Sequence, residues 1–144
     1  MSEDERFEGG CLCGAVRYRA NARPVRGVMC HCSMCRKHSG APALAFVHFP
    51  VAAFAWLKAE PHWYRSSQYA TRGFCPTCGS TVAMREEVLR DRVQVCIGSL
   101  DEPDKVGIDD HVWTQERVAW FDVKDALPRF PQSSSAVPSK ALDQ

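Results

Sequence analysis

Apolar and polar residues alternate along this chain in short runs separated by glycine and proline. Ala15-Val16-Arg17-Tyr18-Arg19 alternates strictly, the period of a strand with one buried face. Ala43–Phe49 is mostly apolar and ends in β-favouring residues, and Arg92–Ile97 alternates before gaining apolar residues. Val112-Trp113 and Val118–Phe121 are shorter and aromatic. Breaks fall at Gly9-Gly10, Pro24, Gly40, Pro42, Pro50, Pro61, Gly73, Pro76, Gly79, Pro103 and Gly107. Helical periodicity is scarce. One short helical turn is expected over Ser33–His38, with Ser33 as its cap, and a second over Val123–Leu127, stopping before Pro128. The pattern predicts a mainly β fold of short strands with one or two short helical turns. Residues 1–6 read as a frayed N-terminus, 7–130 as one folded domain, and the Pro- and Ser-rich 131–144 as a disordered tail.

Length and composition leave this picture in place: 144 residues with 45% hydrophobic content suit one globular domain. The start, MSEDERFEGG, is acidic and lacks the basic and apolar regions of a secretory signal. No run approaches the ~18 apolar residues of a membrane span. A cytoplasmic protein without membrane contact is expected, and in that compartment thiols stay reduced. Charge is uneven. Residues 9–59 hold seven Lys or Arg (Arg17, Arg19, Arg23, Arg26, Arg36, Lys37, Lys58) and no Asp or Glu, a formal +7 within a chain of net +1. Either acidic residues from the other half neutralise the segment in the fold, or it offers a positive field to an anionic ligand.

The cysteines change the picture most. Seven of eight fall in three clusters: Cys11/Cys13, Cys30/Cys32/Cys35 and Cys75/Cys78. In a reducing compartment such density points to metal binding or catalysis. Cys75-Pro-Thr-Cys78-Gly79 has the two-residue spacer of a zinc knuckle. On an extended strand, Cys11 and Cys13 share a face and project both sulfurs together. Together the two pairs offer a closed, structural four-cysteine zinc site. It would clip segments some sixty residues apart, whose closure costs about 3–4 kcal/mol of chain entropy. Structural zinc contributes about 10–16 kcal/mol in small peptides and readily offsets that. The competing reading is four unrelated core cysteines.

Cys30-His31-Cys32-Ser33-Met34-Cys35 offers three thiols within six residues. Three protein ligands and an open position are the layout of a catalytic zinc. Three thiolates make a weak Lewis acid that suits a fourth soft ligand, so an exogenous thiol is a better substrate than a hydrolysable bond. Two alternatives stand: a second structural zinc closed by His31, His38 or Cys96, and a metal-free reduced trio. On a strand His31 would point away from its neighbours, and Cys96, within an alternating strand, reads as a small buried hydrophobe. No Glu stands where a zinc nucleobase deaminase needs one, and there is no phosphate loop and no Gly-x-Ser-x-Gly. Trp56, Trp63, Tyr64, Trp113 and Trp120 read as packing residues, not a base-stacking platform.

GGCLCGAVRY (9–18), CHCSMCRKHSGAP (30–42), FCPTCGS (74–80), GSLDEP (98–103) and HVWTQERVAWFDVKDALPRF (111–130) occur in the order seen in the glutathione-dependent formaldehyde-activating family, which includes centromere protein V. The chain resembles that family over residues 7–130. The resemblance implies a zinc-bound β-tent of short antiparallel strands. It implies a structural zinc on Cys11, Cys13, Cys75 and Cys78 and a second, catalytic zinc on Cys30, Cys32 and Cys35. The family's named reaction joins glutathione and formaldehyde into S-hydroxymethylglutathione, a carbon–sulfur lyase class. His31 or His38, near the trio in sequence, is the expected proton donor, and a small thiol such as glutathione the expected partner. The alternative is a non-catalytic zinc-binding module that contacts a protein or nucleic acid through the basic segment. A +7 segment diluted in a near-neutral chain, without a long basic tail, argues against nucleic acid.

Overall fold

The computed structural model describes residues 5–134, and among these it contains ten strands, one helix and short 3-10 turns. The strands are β1 (Phe7–Gly10), β2 (Arg17–Ala20), β3 (Arg26–Cys30), β4 (Leu44–Pro50), β5 (Phe54–Trp56), β6 (His62–Arg65), β7 (Ala70–Phe74), β8 (Thr81–Glu86), β9 (Arg92–Cys96) and β10 (Asp110–Val112); the helix is α1 (Ser33–Ser39). Seven strands form one sheet in the order β10-β3-β4-β9-β8-β7-β6, and β1-β2-β5 form a second. Every pairing is antiparallel except β10 on β3. The expected mainly β fold is what forms.

Alternation along the central strands divides the interior in two. Val47 and Phe49 of β4 and Val93 and Val95 of β9 join Phe7 and Tyr18 of the small sheet, and Val16 just before β2, in one core. Phe7 and Phe49 rings lie 5.3 Å apart, Tyr18 stacks on Phe54 at 5.4 Å, and the Tyr18 hydroxyl meets Ser99 Oγ at 2.7 Å. Phe46 of β4 and Cys96 of β9 face the other way, into a smaller core with Val28, Met34, Met84, Val112 and Trp113. Gly27 lets the 107–108 backbone pass close to β3: a Cβ there would sit 1.9 Å from the Gly107 carbonyl oxygen.

Several local expectations shift. Cys32, not Ser33, caps α1, its Sγ accepting from Cys35 N at 3.3 Å. Gly40 ends the helix at φ 75°, and Arg36, Lys37 and His38 in the last turn complement its dipole. The expected helical turn at Val123–Leu127 is absent, as is the strand at Val118–Phe121. Arginines hold those carbonyls instead: Arg117 Nη1 donates to Val118, Ala119 and Phe121, and Arg129 to Val123 and Leu127. The segment 11–13 is a turn, not an extended strand. Residues 131–134, expected as the start of a tail, bond to the fold: Trp113 N donates to Gln132 O at 3.2 Å, and Ser134 Oγ accepts from Arg26. The rest of the expected tail, 135–144, and residues 1–4 lie outside the described residues. Three cations of the basic segment find acidic partners, in Arg17–Asp101, Arg19–Glu8 and Arg26–Asp110.

A hydrogen-bonded chain ties the C-terminal segment to the sheet. Arg129 Nη1 donates to Asp125 Oδ1 at 2.8 Å, and Asp125 Oδ2 lies 2.9 Å from His111 Nε2. His111 Nδ1 lies 2.9 Å from His31 Nε2. The carboxylate only accepts, so His111 donates from Nε2 to Asp125, and its Nδ1 pairs with His31 Nε2. His111 and Arg129 together hold the Asp125 carboxyl well below the ordinary carboxylate value.

Phe49→Ala is expected to cost about 3–5 kcal/mol in urea denaturation, whereas Leu12→Ala, at an 89% exposed position, should change stability by less than about 0.5 kcal/mol. A depressed carboxylate stabilises the fold at pH values above its unfolded pKa and loses that contribution as pH falls through its folded one. Stability is therefore expected to decline as pH drops below the unperturbed 3.8, and Asp125→Asn should flatten that acid limb. Equal acid limbs in the two proteins would contradict the assignment.

Candidate functional site

Two cysteine groups assemble at different places. Cys11 and Cys13 lie in the turn between β1 and β2, where Gly14 at φ 83° returns its N–H to Cys11 O at 3.2 Å. Cys75 and Cys78 lie between β7 and β8, where Gly79 at φ 79° donates to Cys75 O at 2.8 Å. Both turns need a left-handed residue, which glycine supplies without strain. All four Sγ atoms lie within 4.8 Å of one another. Cys11–Cys13 and Cys13–Cys75 are 3.6 and 3.8 Å apart. A tetrahedron with metal–sulfur bonds of about 2.3 Å has edges of about 3.8 Å, so the set fits a tetrahedral thiophilic ion. Backbone donors support the sulfurs: Val16 N on Cys11 at 3.2 Å and Cys78 N on Cys75 at 3.5 Å. Ser80 Oγ joins the two turns, lying 3.1 Å from Cys78 Sγ and accepting from Leu12 N at 2.9 Å. That serine contact helps lower the Cys78 thiol to about 5.

The second group forms where β3 runs into α1. Cys30 ends the strand, Cys32 caps the helix and Cys35 occupies its first turn, and their Sγ atoms also lie within 4.8 Å of one another. All three are buried. Hydrogen bonds from Cys30 and Cys35, the Cys35 N–H and the charge of Arg72 hold the Cys32 thiol far below its ordinary range. Hydrogen bonds with Cys32 and Cys35, together with burial, push Cys30 up. Arg72 is buried too; its Nη1 reaches Cys35 Sγ at 3.4 Å, and Ser66 Oγ fixes its Nε at 3.2 Å. Each group could hold a metal ion, but they differ in kind. The first supplies four thiols, a full tetrahedron; the second supplies three and borders a cavity of about 60 Å³.

Met34, Phe46, Val112 and Trp113 are among the apolar residues that line that cavity. Trp113 holds a non-glycine backbone at φ 58°, a conformation that costs about 1–2 kcal/mol. The polar lining of the cavity includes Arg26, His48, Arg72, Glu86 and Gln94. Register explains the row, because Arg26 opposes His48, His48 opposes Gln94, Gln94 opposes Met84 and Met84 opposes Arg72. Alternation in 92–97 marks Gln94 as polar, which reads as solvent-facing; the side chain is 2% exposed because α1 and the Trp113 segment cover that face. Arg72 lies on a strand that the pattern does not reveal. His31 and His38, expected near the chemistry, do not line the cavity. His31 turns to His111, as its place between two thiols implies, and the His38 ring packs near Phe74. Cys96 belongs to neither metal group and is buried at 4% exposure.

Comparison with known proteins bears on the family and the fold. The family model described as glutathione-dependent formaldehyde-activating enzyme matches residues 6–116. A curated protein of Schizosaccharomyces pombe, named an uncharacterized lyase, is 33% identical over 76 residues, which make up 53% of this chain and 55% of that one. The chain thus spans about half the length of that relative. A crystal structure of a Rhodobacter sphaeroides protein superimposes with a TM-score of 0.55 over 85% of this chain and 98% of the other, at 16% identity, which speaks to the fold. With more than half of its length matched, the chain belongs to the glutathione-dependent formaldehyde-activating enzyme family.

Proposed function

We propose that the protein is a zinc-dependent carbon–sulfur lyase acting on a thiol–aldehyde adduct, with S-hydroxymethylglutathione from glutathione and formaldehyde as the reference reaction. The observation that carries this reading is the contrast between the two thiol groups: four sulfurs close on one another, whereas three converge at the wall of a cavity. Cys11, Cys13, Cys75 and Cys78 would hold a structural zinc, and Cys30, Cys32 and Cys35 a second. Bound at the trio, zinc supplies a centre that holds a substrate sulfur as thiolate at neutral pH.

In the forward direction the thiol loses its proton and sulfur bonds to the carbonyl carbon. The carbonyl π pair moves to oxygen, which takes up a proton. The chain's own groups orient and shield this exchange. Arg72 places a guanidinium beside Cys35 and offsets the negative charge of the thiolates. Met34, Phe46 and Trp113 exclude bulk water from the reacting atoms. A cavity of about 60 Å³ admits the sulfur and a small carbonyl but not a tripeptide, so the body of glutathione lies outside. The glutathione-dependent, formaldehyde-activating description of the family and the lyase name of the Schizosaccharomyces pombe relative support the reading.

Exchange NMR on glutathione and formaldehyde should show adduct formation accelerated by the protein, and Cys35→Ala should return it to the uncatalysed rate. A wild-type rate equal to the uncatalysed one would end the proposal for this substrate. Metal analysis should find two zinc ions per chain, with glutathione perturbing one. Cys75→Ser should lose the other and at least about 3 kcal/mol of stability, because the 13–75 closure is no longer clipped.

A further inference from the structure

The trio accounts for only one end of the cavity. At the other end stands His48, 3% exposed, with both ring nitrogens buried and without a hydrogen-bond partner among the described residues. A buried imidazole with two bare nitrogens destabilises a fold unless something binds it. His48 lies four residues along β4 from Leu44, the register partner of Cys30, which is about 13 Å at 3.3 Å per residue. Side chains enter from both ends, so roughly two to four carbons bridge sulfur and imidazole. Formaldehyde, with one carbon, cannot reach.

The charges near His48 are already matched. Arg26 carries Asp110 and Ser134, Arg72 faces Cys35, and Glu86 accepts from Gln94 Nε2. Arg92, whose charge also acts on His48, has Asp91 at 3.8 Å, so among the described residues no unopposed cation remains near this wall for a carboxylate or a phosphate. What remains is a neutral donor-and-acceptor surface made by His48 beside Gln94, its partner across the β4–β9 register. A hydroxyl group, which donates and accepts, matches it.

We propose that this end of the cavity is a hydroxyl-binding subsite centred on His48, and that the protein takes adducts of short hydroxylated aldehydes. The proposal rests on the reading above, in which the adduct sulfur sits at the cysteine trio. The carbonyl-derived chain then runs past Phe46 toward His48, and the peptide stays outside.

Two unreactive thioethers of equal chain length test it by calorimetry on the zinc-loaded protein: S-(3-hydroxypropyl)glutathione and S-butylglutathione. The hydroxyl compound is expected to bind at least about tenfold more tightly. His48→Leu should abolish that preference, while retaining wild-type zinc content and unfolding at the same or a higher temperature. His48→Gln, which restores hydrogen bonding, should recover part of it. Equal or tighter binding of the butyl compound to wild type overturns the subsite and leaves the thiol reading standing. A preference that survives His48→Leu, or a marked fall in its melting temperature, makes His48 a structural residue and also overturns it. Failure of both thioethers to bind overturns the subsite, and if glutathione also leaves the zinc unperturbed the thiol reading falls with it.

Discussion

The period-two alternation of the central strands β4 and β9 is the constraint on which the rest of this protein depends. Each residue there belongs to one of two interiors, and successive residues belong to different ones. Val47, Phe49, Val93 and Val95 fasten the large sheet to the small one. Phe46, His48, Gln94 and Cys96 face the compartment that holds the cysteine trio. A slip of one residue in either pairing would bury the polar row in the larger core and expose the aromatic contacts that join the sheets.

The two thiol groups are arranged around this partition and have different relations to the chain. The four-cysteine group lies in turns at the ends of strands and joins residues 62 apart in sequence, Cys13 and Cys75. Its glycines and Ser80 are devices of local geometry. The trio is local in sequence and deep in the fold. It draws its environment from far away: Arg72 from β7, Trp113 from beyond β10 and the polar row from β4 and β9. One group suits holding the chain together; the other suits receiving something.

His31 links this centre to the C-terminal segment. It stands between two trio cysteines and bonds to His111, which bonds to Asp125 and through it to Arg129. Its backbone N–H also donates to Val112 O at 3.0 Å. Residues remote in sequence thereby fix the turn on which Cys30 and Cys32 sit. Of the seven cations in residues 9–59, three meet acidic side chains in the fold: Arg17 at Asp101, Arg19 at Glu8 and Arg26 at Asp110.

By itself the sequence determined the mainly β character, the strands around Ala43–Phe49 and Arg92–Ile97, the short helix after Cys32 and the grouping of the cysteines. These depend on local rules: side-chain period, turn residues and the spacing that lets two thiols share one point. Cys96 as a core residue and His31 turned away from its neighbours followed from the same rules. Only the tertiary structure decided which polar residues are buried. Alternation labels Gln94 and His48 as polar but cannot say that a helix and the Trp113 segment cover their face. Strand β7 carries Arg72 in a run too mixed to stand out, and it forms because β6 and β8 pair with it on both sides. The helical turn expected at Val123–Leu127 yielded to arginines that claim its carbonyls, and the cap of α1 passed from Ser33 to Cys32. In these last two cases a competing contact within six residues, Arg129 on the Val123 and Leu127 carbonyls and Cys32 Sγ on Cys35 N, outweighed a local preference worth about 1 kcal/mol or less.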